Sequence, residues 1–188
     1  MTAPENRAAF VGAMAAAVSG VNVVSTDGPG GRFGLTVSAM ASVSADPPLL
    51  LVAIARRSPI VAAIRSNGAF GVSVLGVHQS AIADTFAGRP ESGEPFDFAC
   101  ARWETAASGA PLVADAAARF DCEVSETVEA GSHTLVIGAV RHAARGAAPA
   151  LAYTRRGYAE PVAQAPSGWR TTGRFAAPAS SSRRTGVV

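Results

Sequence analysis

Residues 49–55, LLLVAIA, form an unbroken apolar run entered through Pro47 and Pro48 and left through Arg56, Arg57, Ser58 and Pro59. A run this short and this apolar, set between proline pairs and charge, reads as a strand rather than a helix. The stretches around it repeat the pattern. Residues 21–26 are rich in β-branched side chains, residues 27–31 (DGPGG) are dense turn chemistry, and residues 33–41 resume as an extended segment, so the three together predict a hairpin. Further strands are expected at 69–75, 121–128 and 133–142.

Helices fill the corners. Pro4 sits where a first turn tolerates it, and Phe10, Met14, Ala17 and Val18 recur at helical spacing, which predicts an amphipathic N-terminal helix ending near Gly20. Ser58 as N-cap and Pro59 at the first helical position open a second helix that Asn67 and Gly68 stop. A third is expected over 79–86, followed by a polar loop at 88–95. Six or so strands on short links, without a βαβ rhythm, argue for a mainly β chain whose antiparallel strands close into a barrel. The one boundary falls near Ala163: residues 1–163 form the domain, and 164–188, rich in Ser, Pro, Gly and Arg, read as a disordered tail.

Charge excludes several chemistries. All 16 basic residues are arginine, so neither a Schiff-base lysine nor a P-loop lysine is available, and phosphate recognition falls to arginine or backbone amides. Four arginines and none of the 14 acids lie beyond residue 164, so the net charge of +2 conceals a slightly acidic body without a nucleic-acid footprint. With no apolar stretch of about 18 residues and no secretory leader, a cytoplasmic protein is expected. Cys100 and Cys122 fit no metal-ligand spacing and read as small reduced core residues.

Residues 34–52 carry the main chemical signal. Thr36, Ser38, Ala39, Ala41, Ser42 and Ser44 are short or hydroxylated, suited to gripping a flat, oxygen-rich ligand without filling its space. Downstream, Arg57 and Ser58 combine a guanidinium, a hydroxyl and the first amides of a helix, a phosphate-binding set. The glycines at 28, 30, 31 and 34 lack the GxGxxG spacing and belong to the hairpin turn. His78, His133 and His142 have no carboxylate or cysteine spacing for a metal, and no GxSxG nucleophile elbow occurs. On residue patterns alone, Phe86 either packs in the core or covers a planar ligand, and Trp103 packs at the barrel edge.

In order along the chain stand Val21-Asn22-Val23-Val24, Gly34-Leu35-Thr36-Val37-Ser38-Ala39, Ser42-Val43-Ser44 running to Asp46-Pro47-Pro48, and Arg57-Ser58. Ser73-Val74-Leu75, Thr85-Phe86-Ala87-Gly88, Gly131-Ser132-His133 and Arg155-Arg156-Gly157-Tyr158 follow. This series, over residues 8–160, resembles the short-chain flavin reductases with an FMN-binding split barrel, the reductase components of two-component monooxygenases. The Gly-Ser-His turn is similar to the branch holding the 4-hydroxyphenylacetate, chlorophenol and pyrimidine-utilisation reductases, where other members have Asp at the position of Ser132.

The resemblance implies an antiparallel split β-barrel and an NAD(P)H-dependent reduction of FMN or FAD, with NADH or NADPH as hydride donor. It implies that Thr36, Val37, Ser38 and Ala39 meet the flavin with Ser42 and Val43 nearby, and that Val52, Ala53 and Ile54 line the isoalloxazine side. Arg57 and Ser58 would hold the phosphate, Ser73, Val74 and Leu75 would complete the pocket edge with Phe86, and His133 would lie near the nicotinamide. It further implies a homodimer that hands reduced flavin to a separate monooxygenase. Two readings from outside this class stay open: a split-barrel flavin protein without turnover, and a split barrel binding another planar cofactor.

Overall fold

The computed structural model describes residues 2–162. The tail assigned to 164–188, with Trp169 in it, lies outside the described residues.

Helix α1 (Ala3–Ala16) opens with a capping box in which the Thr2 hydroxyl accepts from the Glu5 amide and the Glu5 carboxylate accepts from the Thr2 amide. Strands β1 (Ser19–Gly20), β2 (Asn22–Thr26), β3 (Phe33–Val37), β4 (Met40–Ala45) and β5 (Pro48–Ala55) follow. After them come α2 (Pro59–Asn67), β6 (Ala69–Val74), α3 (Ser80–Phe86), the 3-10 turn Phe98–Cys100, β7 (Trp103–Thr105) and β8 (Pro111–Val113). The last strands of the described residues are β9 (Ala118–Ala130), β10 (His133–Arg145), β11 (Ala152–Thr154) and β12 (Gly157–Ala159).

Seven strands make one antiparallel sheet in the order β3-β2-β6-β9-β10-β5-β4. Its two edge strands are neighbours in sequence, and β3 also approaches β5, so the sheet curls back on itself as a split barrel. The extended segment expected over 33–41 is two strands instead. The chain leaves the ladder at Ser38 and Ala39, where the Ala39 carbonyl accepts from the Ala53 amide at 3.0 Å and turns β4 onto β5.

Local chemistry explains the corners. α2 begins at Ser58 with Pro59 in its first turn and ends at Gly68, which takes the left-handed conformation at φ 70°. Its Ile60, Val61 and Ile64 enter a core with Val24, Val37, Val52, Phe70 and Val136. A second cluster gathers Val21, Val23, Leu75, Phe86 and Val113, with Phe98, Trp103, Tyr153 and Tyr158 packed against it.

Two expectations are corrected. The N-terminal helix ends at Ala16, and the apolar positions expected to bury its face do not: Phe10 and Met14 in α1 and Val18 just after it are 64%, 55% and 70% exposed. Cys122 is a core residue, its thiol pushed up to about 12 chiefly by burial, but Cys100 is exposed; both are free thiols. Among the described residues no helix is long and apolar enough to cross a membrane.

Candidate active site

The C-terminal end of β3 opens onto a cleft of about 190 Å³. One wall is Thr36, Val37 and Ser38; facing it are Arg89, from the loop after α3, and Tyr153 and Tyr158, from the β11–β12 hairpin. The wall on β3 is anchored because the Thr36 hydroxyl donates to the Ala83 carbonyl of α3 at 2.8 Å. Across from it, the Tyr158 phenol donates to Asp84 Oδ1 at 2.7 Å, and Arg89 Nε lies 3.8 Å from that same oxygen. The two tyrosine rings meet edge to face at 5.7 Å.

Electrostatics keep this wall protonated. Burial first, and the bond to Asp84 second, push the Tyr158 phenol up to about 12. The Arg89 guanidinium is raised from its ordinary value, chiefly by a hydrogen bond to Tyr153. The cleft therefore offers aromatic faces, hydroxyls and one cation, a donor-rich edge beside apolar surface.

A second cleft, about 350 Å³, flanks the other end of β3 and takes in Phe33, Gly34, Leu35 and Ser58. Ser58 brings the phosphate-binding set to this space. Its hydroxyl makes no capping bond, and the neighbouring Arg57 is exposed and in no ion pair among the described residues. Leu35 on this cleft and Thr36 on the first are consecutive residues of β3, so the two clefts lie along one strand.

His133 opens β10 directly opposite Ala55, the last residue of β5. Its Nδ1 is 2.9 Å from the Ser132 hydroxyl, and the Ser132 carbonyl accepts from the Arg56 amide at 3.0 Å. The histidine hairpin is thus bonded to the turn that carries Arg57 and Ser58. Glu129 reinforces the joint: it accepts from Arg65 of α2 at 2.9 Å, from Thr134 at 3.3 Å and from Arg56 at 3.4 Å.

Other residues named from the sequence fall elsewhere. Val52 and Ile54 point into the core, and of that segment only Ala53 keeps partial exposure. Ser73 and Leu75 are fully buried; the Ser73 hydroxyl accepts from the Val113 amide at 2.9 Å, and Val74 is half-buried. Phe86 is fully buried beneath Gly34, stacked edge to face with Phe98 at 5.0 Å and Trp103 at 5.5 Å, so it shapes the cleft floor from below. Ala39 and Ser42 are exposed, and Val43 sits at a bulge in β4.

Sequence reasoning missed Arg89 and Tyr153 and gave Tyr158 no role. Tyr158 carried a signal, since it closes the Arg-Arg-Gly-Tyr segment. Arg89 and Tyr153 carried none, because tertiary structure alone joins them to β3.

The residues present fit a flavin in kind. Hydroxyls and a guanidinium suit the polar edge of an isoalloxazine, the apolar surface its rings, and Arg57 with Ser58 its phosphate. At about 190 Å³ the first cleft is smaller than the roughly 300 Å³ lower bound of small-molecule pockets.

A family model described as flavin reductase like domain matches residues 14–161. The FMN reductase (NADH) RutF 1 of a Methylorubrum extorquens strain is 44% identical over 156 residues, covering 82% of this chain and 77% of that protein. Among solved structures, the flavin reductase PheA2 in its native state superposes with a TM-score of 0.75 at 32% identity, covering 84% of this chain and 98% of the other. The styrene monooxygenase flavin reductase of Pseudomonas putida gives 0.72 at 29% identity, covering 83% and 99%.

Proposed function

This chain belongs to the flavin reductase like domain family, and on that premise we propose that it uses NADH to reduce FMN and releases the reduced flavin to a separate monooxygenase. The observation that carries the reading is the donor-rich cleft at Thr36, Val37 and Ser38, in a chain 44% identical to a protein named FMN reductase (NADH). FAD and NADPH are the alternative flavin and donor. The monooxygenase partner is supported by the styrene monooxygenase flavin reductase among the structural neighbours.

Flavin and nicotinamide supply the hydride chemistry themselves, so the protein's task is binding and orientation. Ser38 and Arg89 hold the polar edge of the flavin, and Val37 and the tyrosine pair border its ring. Arg57 and Ser58 hold its phosphate, and His133 orients the nicotinamide. An exposed imidazole at the strand end beside a two-residue turn suits a donor that must arrive and leave each cycle. An open cleft likewise suits a flavin that is released rather than retained.

Catalysis is assigned to a homodimer. The outer face of the sheet carries apolar cross-strand rows, Val128 with Leu135 and Ala53, and Ile137 with Leu51 and Ala41, of which Val128 and Ala41 are exposed and the others half-buried. A second copy on this face would complete the small first cleft. The two free thiols accord with a cytoplasmic location.

Steady-state NADH oxidation by the purified protein tests the reading. Acceleration on adding FMN is the expected result. Stoichiometric flavin binding that stays oxidised under excess NADH would support a flavin protein without turnover instead.

A further inference from the structure

We propose that Asn22 is a positioning residue of the first cleft: its side-chain amide braces the joint between the two sheets that supply the cleft's opposing walls, and so sets the width of the site. The proposal rests on the reading of that cleft as the place where FMN is bound.

The two walls belong to different sheets. Thr36, Val37 and Ser38 stand at and just beyond the end of β3, in the seven-stranded sheet, whereas Tyr153 and Tyr158 lie on β11 and β12, which form a separate three-stranded sheet with β1. The chain passes from the small sheet to the large one within three residues. Gly20 pairs with Ala152 in the small sheet, Asn22 pairs with Val37 and Val74 in the large one, and Val21 between them lines the cleft. Backbone bonds hold this joint at Val21, whose amide donates to the Leu151 carbonyl at 3.1 Å and whose carbonyl accepts from the Leu75 amide at 2.9 Å. A joint held at one residue leaves the angle between the sheets to its neighbours.

Asn22 supplies the second point of attachment. Its Nδ2 donates to the Val37 carbonyl at 3.2 Å, on the wall from the large sheet, and to the Gly20 carbonyl at 3.4 Å, on the small sheet. One amide group thus carries a bond to each side of the joint, which requires two N–H donors on a short side chain. Reversing the amide would set its oxygen against two carbonyls, so the orientation follows from its partners.

Packing does not account for an amide here. Asn22 is 2% exposed and stands among Val21, Val23 and Val24, in a strand where β-branched residues are favoured and asparagine is not. Its Oδ1 is buried without a hydrogen-bond partner among the described residues. An acceptor stripped of water and left unpaired destabilises the fold, and an apolar side chain would remove that penalty. The chain therefore carries a net penalty at the residue that braces the cleft, and departures from good packing of this kind gather at functional sites.

The test uses the full-length protein with Asn22→Val and Asn22→Thr, neither of which can reach both carbonyls. FMN affinity is read from the quenching of its fluorescence, and KM and kcat are measured for FMN and NADH. In Asn22→Val the melting temperature is expected to stay at or above that of the wild type, while the KM and dissociation constant for FMN rise about fivefold. That change corresponds to about 1 kcal/mol, the net worth of one hydrogen bond. The kcat and the KM for NADH should stay within twofold of wild type. Asn22→Thr should show the same split, and it decides the matter if the valine variant does not fold. A folded variant that binds FMN as the wild type does overturns the brace, whatever its melting temperature, and leaves the reductase reading intact. Wild-type protein that binds FMN but oxidises no NADH overturns the reductase reading, and the FMN titrations of the variants still decide the role of Asn22.

Discussion

The phenol of Tyr158 donates to Asp84 Oδ1 at 2.7 Å across 74 residues of sequence, tying the last hairpin to helix α3 at the mouth of the first cleft. Removing that hydroxyl in Tyr158→Phe is expected to destabilise the fold by about 1 kcal/mol, the usual net worth of such a bond. It should also raise the KM for flavin, because Arg89 would lose the phenol that shares its carboxylate partner. Thermal melting and steady-state kinetics check the two effects.

The same phenol sets a pH limit. Its folded pKa is raised to about 12 from an ordinary value near 10, so its contribution to stability is complete below pH 10 and declines as pH rises toward 12. Spectroscopic titration should show the Tyr158 phenolate forming late, and Tyr158→Phe should remove that late step. Absence of a late step in the wild type would count against the packing described.

Glu129 behaves in the opposite sense. Hydrogen bonds from Arg65 first, and from Arg56 and Thr134, hold its pKa below the ordinary carboxylate value, so the clamp is complete above that value and loosens as pH falls through the lowered one. Glu129→Gln is expected to raise the nicotinamide KM about threefold, the scale of a half-exposed ion-pair network, with kcat nearly unchanged. The difference from wild type should shrink at high salt.

Close packing behind β3 leaves no space at Gly34. A Cβ there would overlap the Phe86 ring and lie 3.2 Å from Phe98. Gly34→Ala should cost about 1–3 kcal/mol as an overpacked core. Denaturant midpoints test it, and a neutral result would show that the Phe86 ring can move.

The apolar outer face predicts association. Leu51→Arg, whose cross-strand partners are Ile137 and Ala41 rather than a carboxylate, would bury an unpaired guanidinium at the proposed dimer contact, at a cost of several kcal/mol. Sedimentation should show monomers where wild type is dimeric, with reductase activity falling alongside. A wild-type monomer would remove the interface.

What the sequence made legible was local chemistry. Ser58, Pro59 and Gly68 bound α2 where their capping preferences place it, and the hairpin around Gly28 and Gly31 follows from turn residues. The break at Ser38 and Ala39 was not legible, because a bond to Ala53 on another strand creates it. The motif segments drew Val52, Ile54, Ser73 and Leu75 into the candidate site, yet side-chain alternation along β5 turns the first two into the core, and Ser73 and Leu75 are buried because β6 is covered on both faces. Arg89 and Tyr153 entered the site only through tertiary contact, which no local pattern encodes. The apolar run at 49–55 was legible as a strand, but only register with Leu135 and Ile137 shows that half of it faces outward.

The most direct measurement mixes purified protein and FMN with NADH under anaerobic conditions in a stopped-flow spectrometer. The flavin absorbance is expected to bleach at a rate that rises with protein concentration, and His133→Ala to weaken the dependence on NADH more than that on FMN. Flavin that remains oxidised, or bleaches no faster than in buffer alone, would contradict the reductase assignment.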